Sequence, residues 1–346
     1  MEYDVLVVGS GPAGSITGWH IAREGFSVLM IDKKKEAGSP VQCAEYVPAV
    51  LSREVLIPGD AIANEIKGLK VYFPDNRSYE FSMPGYILNR AVFDKHLTLN
   101  AIKAGACLWL KTKFLGFENS RIFVSQNGRI IEVSAKIIVG ADGSNSRVGR
   151  LINSRHKDYI IAFQQELPLM EKMEYTEVYF DKKIFGGYAW LFPKKHSANV
   201  GLGVKIGCKL KVKELFLQFV EKLVNEKKII NTPLKTATGL IPVGGPTSTV
   251  KNNILLVGDA AGQTHPITGA GIAPAIVCGK FAARSIIKAL QKNDLNLLFM
   301  YEKEWKDFYL KELNRATQKR KKMEENWHRL EEILKECWVS FPEYYG

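Results

Sequence analysis

The chain has 346 residues and a formal net charge of +12, long enough for a sizeable core and two domains, and every apolar run is broken by Asp, His or Lys before membrane-span length. Cys43, Cys107, Cys208, Cys278 and Cys337 are scattered without a Cys-x-x-Cys pair, which excludes the zinc and iron–sulfur spacings and suits a reducing compartment. Met1-Glu2-Tyr3-Asp4 opens no signal-peptide pattern, so a cytoplasmic protein, at most peripheral at the inner face of a membrane, is expected.

Residues 5–8 read as a buried strand, Gly9-Ser10-Gly11-Pro12-Ala13-Gly14 as a tight turn, and 15–24 as a helix ended by Gly25. A second strand over 27–31 delivers Asp32 and Lys33. In this pattern Gly9 allows the bend, Gly11 lets a pyrophosphate approach the backbone, Gly14 lets helix pack on strand, and Asp32 accepts ribose hydroxyls. The fingerprint alone leaves NAD and FAD open. A hairpin follows at 69–73 and 78–81 around Pro74-Asp75-Asn76-Arg77, then a helix over 90–104. Strands 107–110, 113–117, 122–125 and 130–133 read as a meander turning at Asn127-Gly128. Strand 136–139 runs into Gly140-Ala141-Asp142-Gly143. Strands 177–180, 188–192 and 198–204 form a second antiparallel block, with an amphipathic helix over 212–226 beside it. Strand 254–257 closes on Gly258-Asp259, and Gly269-Ala270-Gly271-Ile272 opens an apolar helix to about residue 289. Charged helices over 295–338 close the molecule, and no motif is recognised beyond about residue 290.

The second glycine turn selects the dinucleotide. A helix starting there aims N–H groups and a positive dipole end at an electron-rich ring, as the pyrimidine side of a reduced flavin is. Asp259 holds the ribityl chain, FAD is the expected cofactor, and no metal is expected. The arrangement resembles the hydroxylase-like class of FAD-dependent oxidoreductases, in which an arginine matching Arg90 contacts the cofactor and a turn matching Asp142 lies near its phosphates. From the residues alone, Arg90 also reads as a helix-start residue and Asp142 as a turn former.

Tyr188-Ala189-Trp190-Leu191-Phe192-Pro193 is followed, seven residues on, by Gly201-Leu202-Gly203. Alternation puts Tyr188, Trp190 and Phe192 on one strand face, an aromatic wall beside a strip of little bulk at Gly201 and Gly203. A plain core stripe is the alternative. The run resembles the signature of the geranylgeranyl reductase family, including archaeal enzymes that saturate the isoprenoid chains of membrane lipids. Together with the flavin motifs the resemblance covers most of residues 1–290. It implies hydride transfer from reduced FAD to C=C bonds of geranylgeranyl chains in lipids or prenyl diphosphates, and it sets Cys43-Ala44-Glu45 close to the flavin ring. An isolated alkene needs an acid besides the hydride, and Cys43, Tyr188 or an ordered water is the candidate. A thiol with the ordinary pKa of about 8.5 is protonated at neutral pH, although a free Cys is otherwise a small buried hydrophobe. His265 reads as a turn-stabilising residue. Ten buried methylenes contribute about 8 kcal/mol before ordering costs, so tolerance for prenyl length is expected. The alternatives are a flavin-dependent monooxygenase and a membrane electron-transfer flavoprotein passing electrons to quinone. With one nucleotide fingerprint in the chain, the electron donor is external, NAD(P)H or ferredoxin.

The expected class is therefore mixed α/β. A Rossmann-like FAD-binding domain (1–62, 88–160, 236–290) is interleaved with an antiparallel-sheet substrate domain (63–87, 161–235) and followed by a C-terminal helical segment (291–346). Residues 182–235 hold twelve lysines against Glu214, Glu221 and Glu226, a local balance of +9. That suits prenyl diphosphate, anionic headgroups or an acidic membrane surface, with a solvated lysine-rich surface as the alternative. No nucleic-acid-binding module accompanies the basic residues. Lys319-Arg320-Lys321-Lys322 reads as helix surface.

Overall fold

The computed structural model describes all residues except 119–120 and 208–210, so Cys208 and Lys209 lie outside the described residues. Two eight-stranded sheets organise the chain. The first is built on Val5-Leu6-Val7 and Val28–Ile31, both shielded from water on either face, as parallel strands require. Its central order is Val250–Lys251, Ile254–Leu256, Arg129–Gly140, Glu2–Val8, Val28–Ile31 and Cys107–Trp109. Helices Pro12–Arg23 and Ile272–Lys292 cover one face through Ile21, Ala22, Ala275, Cys278 and Ala282. The meander covers the other through Phe114, Ile122, Val124 and Val133.

The second sheet runs Lys235–Pro242, Tyr159–Pro168, Ser197–Lys205, Tyr188–Pro193, Tyr175–Tyr179, Ile62–Tyr72, Ser78–Leu88 and Tyr46–Pro48. Helix Val212–Asn225 buries Leu215, Phe216, Phe219, Val220 and Leu223 against one face. On the other face, helices Lys311–Glu325 and Leu330–Cys337 and the segment after them bring Met323, Leu334, Trp338 and Phe341 onto Leu69, Val71, Val178 and Phe180.

Several elements differ from the sequence expectation. Segments 130–133 and 136–139 are one strand, Arg129–Gly140, because its first half pairs antiparallel with Arg121–Gln126 and its second half parallel with Glu2–Val8. Cys107–Trp109 leaves the meander and pairs parallel with Val28–Ile31. Tyr159–Pro168 and Lys235–Pro242 pair with each other across some seventy residues of chain; neither shows a clean alternation. Lys235–Pro242 and Tyr46–Pro48 are the two edges of the second sheet, although the sequence reading put both stretches with the cofactor-binding part.

Candidate cofactor and substrate site

The first glycine turn is fixed by contacts that admit no side chain. Gly9 has φ +105°, and a Cβ on it would lie 2.3 Å from the Ala141 carbonyl oxygen. A Cβ on Gly14 would lie 1.8 Å from the Gly9 carbonyl oxygen. Gly11 behaves oppositely: a Cβ there would meet nothing within 4 Å, and Gly11 caps a helix whose first amides receive no side-chain bond, with Pro12 in the first turn. Asp32 is locked beneath the turn, its Oδ2 accepting from the Ser10 amide at 2.9 Å and the Ser10 hydroxyl at 2.8 Å. Lys33 is exposed. Ser10 went unnoticed in the sequence, where only the glycines carry a pattern.

The distant motif arrives beside this turn. A Cβ on Gly258 would lie 3.1 Å from that of Ala13, and one on Gly271 would lie 2.8 Å from Asp259 Oδ1. Asp259 also accepts the Thr264 hydroxyl at 2.5 Å. Gly269 has φ +68°, Ala270 is exposed, and Gly271 caps the helix beginning at Ile272, again without a side-chain bond to its first amides. Two uncapped helix starts on neighbouring helices, one with open space at Gly11, fit a dinucleotide carrying an electron-rich ring, as FAD does. Asp142 is committed locally: it accepts from the Ser146 hydroxyl at 2.5 Å and the Arg147 amide at 2.6 Å, so its carboxylate starts the helix Arg147–Leu151. Arg90 forms a two-pronged pair with Asp94, 2.8 Å at each prong, with side chains 12% and 3% exposed.

Cys43 and Ala44 lead into the edge strand Tyr46–Pro48 and lie against Gln164 and Asn199 of the second sheet. The Cys43 sulfur accepts the Glu45 amide at 3.2 Å and the Cys43 carbonyl accepts from Gln164 at 3.1 Å. Burial pushes the thiol up, against the pull of the Arg90 guanidinium. Glu45, at φ +75°, is buried and accepts from the Arg90 amide at 3.1 Å, Asn199 at 2.6 Å and Lys194 at 2.7 Å. Asn199 also reaches the Ala44 carbonyl at 3.2 Å. Lys194 bridges on to Glu166 at 3.2 Å. Burial alone would lower the Lys194 pKa, but Glu45 and Glu166 raise it above the usual lysine value. Burial would raise Glu166, yet the Ser197 hydroxyl and Lys194 hold it below the carboxylate range. This bracket joins three distant segments, and no local pattern announces it.

The aromatic run forms the wall it predicts: Tyr188 and Trp190 are 5.9 Å apart, and Trp190 and Phe192 6.5 Å. The glycine strip is not an open surface, however. Trp190 pairs directly with Gly201 and Tyr188 with Gly203, and the indole lies over Gly201, where a Cβ would be 2.4 Å from the ring. Its Nε1 donates to Gln164 at 3.0 Å. An apolar cavity of about 30 Å³ remains beside it, between Trp190, Tyr188, Gly203, Ile160, Ile241 and Gly269. The Tyr188 hydroxyl donates to the Thr268 carbonyl at 2.5 Å, so the aromatic strand is tied to the second glycine turn, and burial raises the phenol well above its ordinary value. Trp338 closes over Tyr188 at 5.2 Å. His265 stabilises its turn by accepting the Ile267 and Thr268 amides at 3.3 and 3.2 Å.

Two basic features depart from expectation. Arg320 is buried at 5% exposure and donates to the Pro266 carbonyl at 3.0 Å and the Gly186 carbonyl at 2.7 Å; it is not helix surface. Lys182, Lys194, Lys205, Lys211, Lys222 and Lys228 each pair with a carboxylate, several from outside their own stretch, which removes much of the local +9. No helix among the described residues is long and apolar enough to cross a membrane.

Comparison with known proteins agrees with this geometry. Residues 158–240 match the family described as the geranylgeranyl reductase catalytic domain, 7–50 an NAD(P)-binding Rossmann-like domain, and 210–336 a lycopene cyclase protein family. The chain is 36% identical over 335 residues to the digeranylgeranylglycerophospholipid reductase 1 of Methanopyrus kandleri, covering 89% of this chain and 87% of that one. It is 38% identical over 334 residues to the digeranylgeranylglycerophospholipid reductase of Methanosarcina acetivorans, covering 88% and 81%. A geranylgeranyl bacteriochlorophyll reductase-like structure from Thermoplasma acidophilum superposes with a TM-score of 0.89 at 33% identity, over 100% of this chain and 94% of the other. A flavin-dependent brominase, at 18% identity and a TM-score of 0.74 over 92% of this chain and 86% of that one, shares the fold. The part beyond residue 290, silent in the sequence, is covered by the Thermoplasma match as fully as the rest. A likeness sustained along the whole chain at this identity makes it a member of the geranylgeranyl reductase family.

Proposed function

We propose that this chain saturates C=C bonds in the geranylgeranyl chains of a membrane lipid, with FAD as its cofactor and an external reductant, NAD(P)H or a ferredoxin. When bound and reduced, FAD supplies the hydride. The observation that carries the reading is a graded track on the second sheet. On one face of Lys235–Pro242, Ala237, Gly239 and Ile241 alternate inward behind the exposed Lys235, and these four pair with Gln164, Ala162, Ile160 and Glu166 respectively. Its polar end holds a cavity of about 10 Å³ lined by Cys43, Glu45, Gln164, Glu166 and Lys235. Its apolar end is the Trp190 cavity below the second glycine turn.

The residues along this track divide the work. Ala162, Ala237 and Gly239 keep it shallow enough for a chain, while Ile160, Ile241, Tyr188 and Trp190 exclude water at the far end. Cys43 is the favoured acid. Its sulfur accepts the Glu45 amide, which leaves the S–H free to point into the cleft, and its raised pKa keeps the proton on. The Tyr188 proton is committed to the Thr268 carbonyl, so Tyr188 positions the turn. The test is anaerobic incubation of prereduced protein with a detergent-dispersed geranylgeranyl glycerolipid, followed by mass spectrometry. Gains of two mass units per double bond are expected; oxygen addition in air would instead mark a monooxygenase. Single-turnover saturation should fall steeply in Cys43→Ala and modestly in Tyr188→Phe. An unchanged rate in Cys43→Ala removes the thiol as the acid.

A further inference from the structure

We infer that one end of the second sheet is a docking rim for an anionic lipid bilayer, and that a lipid tail enters the track from there. This rests on the lipid-reductase reading above. The rim is assembled from three loops. The Leu169 amide bonds to the His196 carbonyl at 3.0 Å, the Met170 amide to the Lys228 carbonyl at 3.0 Å, the Ile230 amide to the Pro168 carbonyl at 2.9 Å, and the Leu234 amide to the Glu166 carbonyl at 2.9 Å. These bonds gather the loops around 168–170, 194–197 and 227–235 at one edge.

Three apolar side chains project from it into solvent: Met170 at 53% exposure, Ile230 at 47% and Leu234 at 61%. Exposed apolar groups gathered this way mark a contact surface. Lys195 and Lys227 stand exposed among them and form no ion pair among the described residues, whereas Lys194 and Lys228 are bound to carboxylates and Lys235 faces Glu166. Unneutralised lysines around insertable apolar groups complement an anionic bilayer: the charges meet headgroups and the apolar groups enter the interface. A purely apolar rim would suit a second copy of the chain equally well; the free lysines would repel one another across such a dimer.

The rim also leads somewhere. Lys235 is its inner edge and stands at the head of the inward face that continues through Ala237 and Gly239 to Ile241. Midway, a Cβ on Gly239 would be in van der Waals contact with that of Gln42, 3.7 Å away, so the 41–43 loop packs on the strand between the two cavities. A tail leaving the bilayer at the rim therefore has to lift that loop from Gly239 to pass Cys43 and reach Trp190.

Co-sedimentation with vesicles of equal phosphatidylglycerol and phosphatidylcholine, against phosphatidylcholine alone, tests this. The parent should bind the anionic vesicles and release them as salt screens the charges. Lys195→Glu/Lys227→Glu and, separately, Leu234→Glu should each weaken binding by about tenfold or more, while keeping the parent's rate on detergent-dispersed lipid. A parent that stays in solution, or variants that bind as tightly as the parent, overturns the rim. So does a dimer dissolved by Leu234→Glu without vesicle binding. Vesicle binding by a parent that reduces no detergent-dispersed lipid sinks the functional reading and leaves the rim standing.

Discussion

The cofactor cradle and the substrate track are held together by opposite means. In the cradle backbone meets backbone: Gly14 packs on the Gly9 carbonyl and Gly9 on the Ala141 carbonyl, with no side chain able to adjust. Along the track a side chain does the filling: Trp190 occupies the space that Gly201 vacates. A backbone cradle offers a fixed shape to a cofactor that never changes. A side-chain surface can repack around a flexible tail, and this one must, since a 30 Å³ cavity has room for about two waters.

The contrast breaks most severely at Gly14. Valine there has no direction in which to relax, so Gly14→Val should cost more than about 4 kcal/mol and yield protein that retains no FAD through purification, read by absorbance and by thermal unfolding. An intermediate effect is expected where the two regions are bolted together. Lys194→Met strands two carboxylates, Glu45 and Glu166, and should cost roughly 2–4 kcal/mol, measured by denaturant unfolding. The bracket's pH dependence has a definite sign. Glu166 is held low, so its share is complete above the ordinary glutamate pKa of about 4.3 and fades as pH falls through its lowered value. Lys194 is held high, so its share is complete below about 10.4 and is lost as pH rises through its raised value. The gap between parent and Lys194→Met should be flat from about pH 5 to 10 and close at both ends.

The smallest effect belongs to the track itself. Gly201→Ala sets a methyl 2.4 Å from the indole and 2.8 Å from the Phe163 carbonyl oxygen; the ring has the neighbouring cavity to move into, and the strand must give by a few tenths of an ångström. A loss of about 1–3 kcal/mol is expected, with blue-shifted Trp fluorescence and FAD content unchanged. A variant that lost FAD as Gly14→Val does would mean that the two regions are not built on different principles.

The same contrast explains what could be read from residues alone. The cradle was legible because only glycine satisfies its geometry at Gly9, Gly14 and Gly258, which with Gly11 and Gly271 carry the signal at fixed spacing. The aromatic alternation at 188–192 and the hairpin around Pro74 were legible for similar local reasons. Tyr159–Pro168 and Lys235–Pro242 were not, since both are defined by distant partners and Lys235–Pro242 is an edge strand left largely exposed. Long-range side-chain links escaped too: Ser10 on Asp32, the Glu45–Lys194–Glu166 bracket, and Arg320, whose sequence neighbours are surface lysines. The charge of residues 182–235 misled because composition counts lysines without counting the carboxylates, such as Glu45 and Glu324, that fold onto them.

Arg320 gives the enclosure a mechanical linkage. Arg320 stands on the helix that covers the aromatic wall, is steadied by Glu324 one turn on at 2.8 Å, and grips the Pro266 carbonyl ahead of the second glycine turn and the Gly186 carbonyl ahead of Tyr188. Shifting that helix to make room for a lipid tail therefore tugs directly on the second glycine turn, which would hold the flavin ring. The flavin becomes an optical gauge: its spectrum should register a saturated, unreactive lipid sliding into place, and Arg320→Lys, lacking the rigid fork, should leave the gauge blind while binding persists.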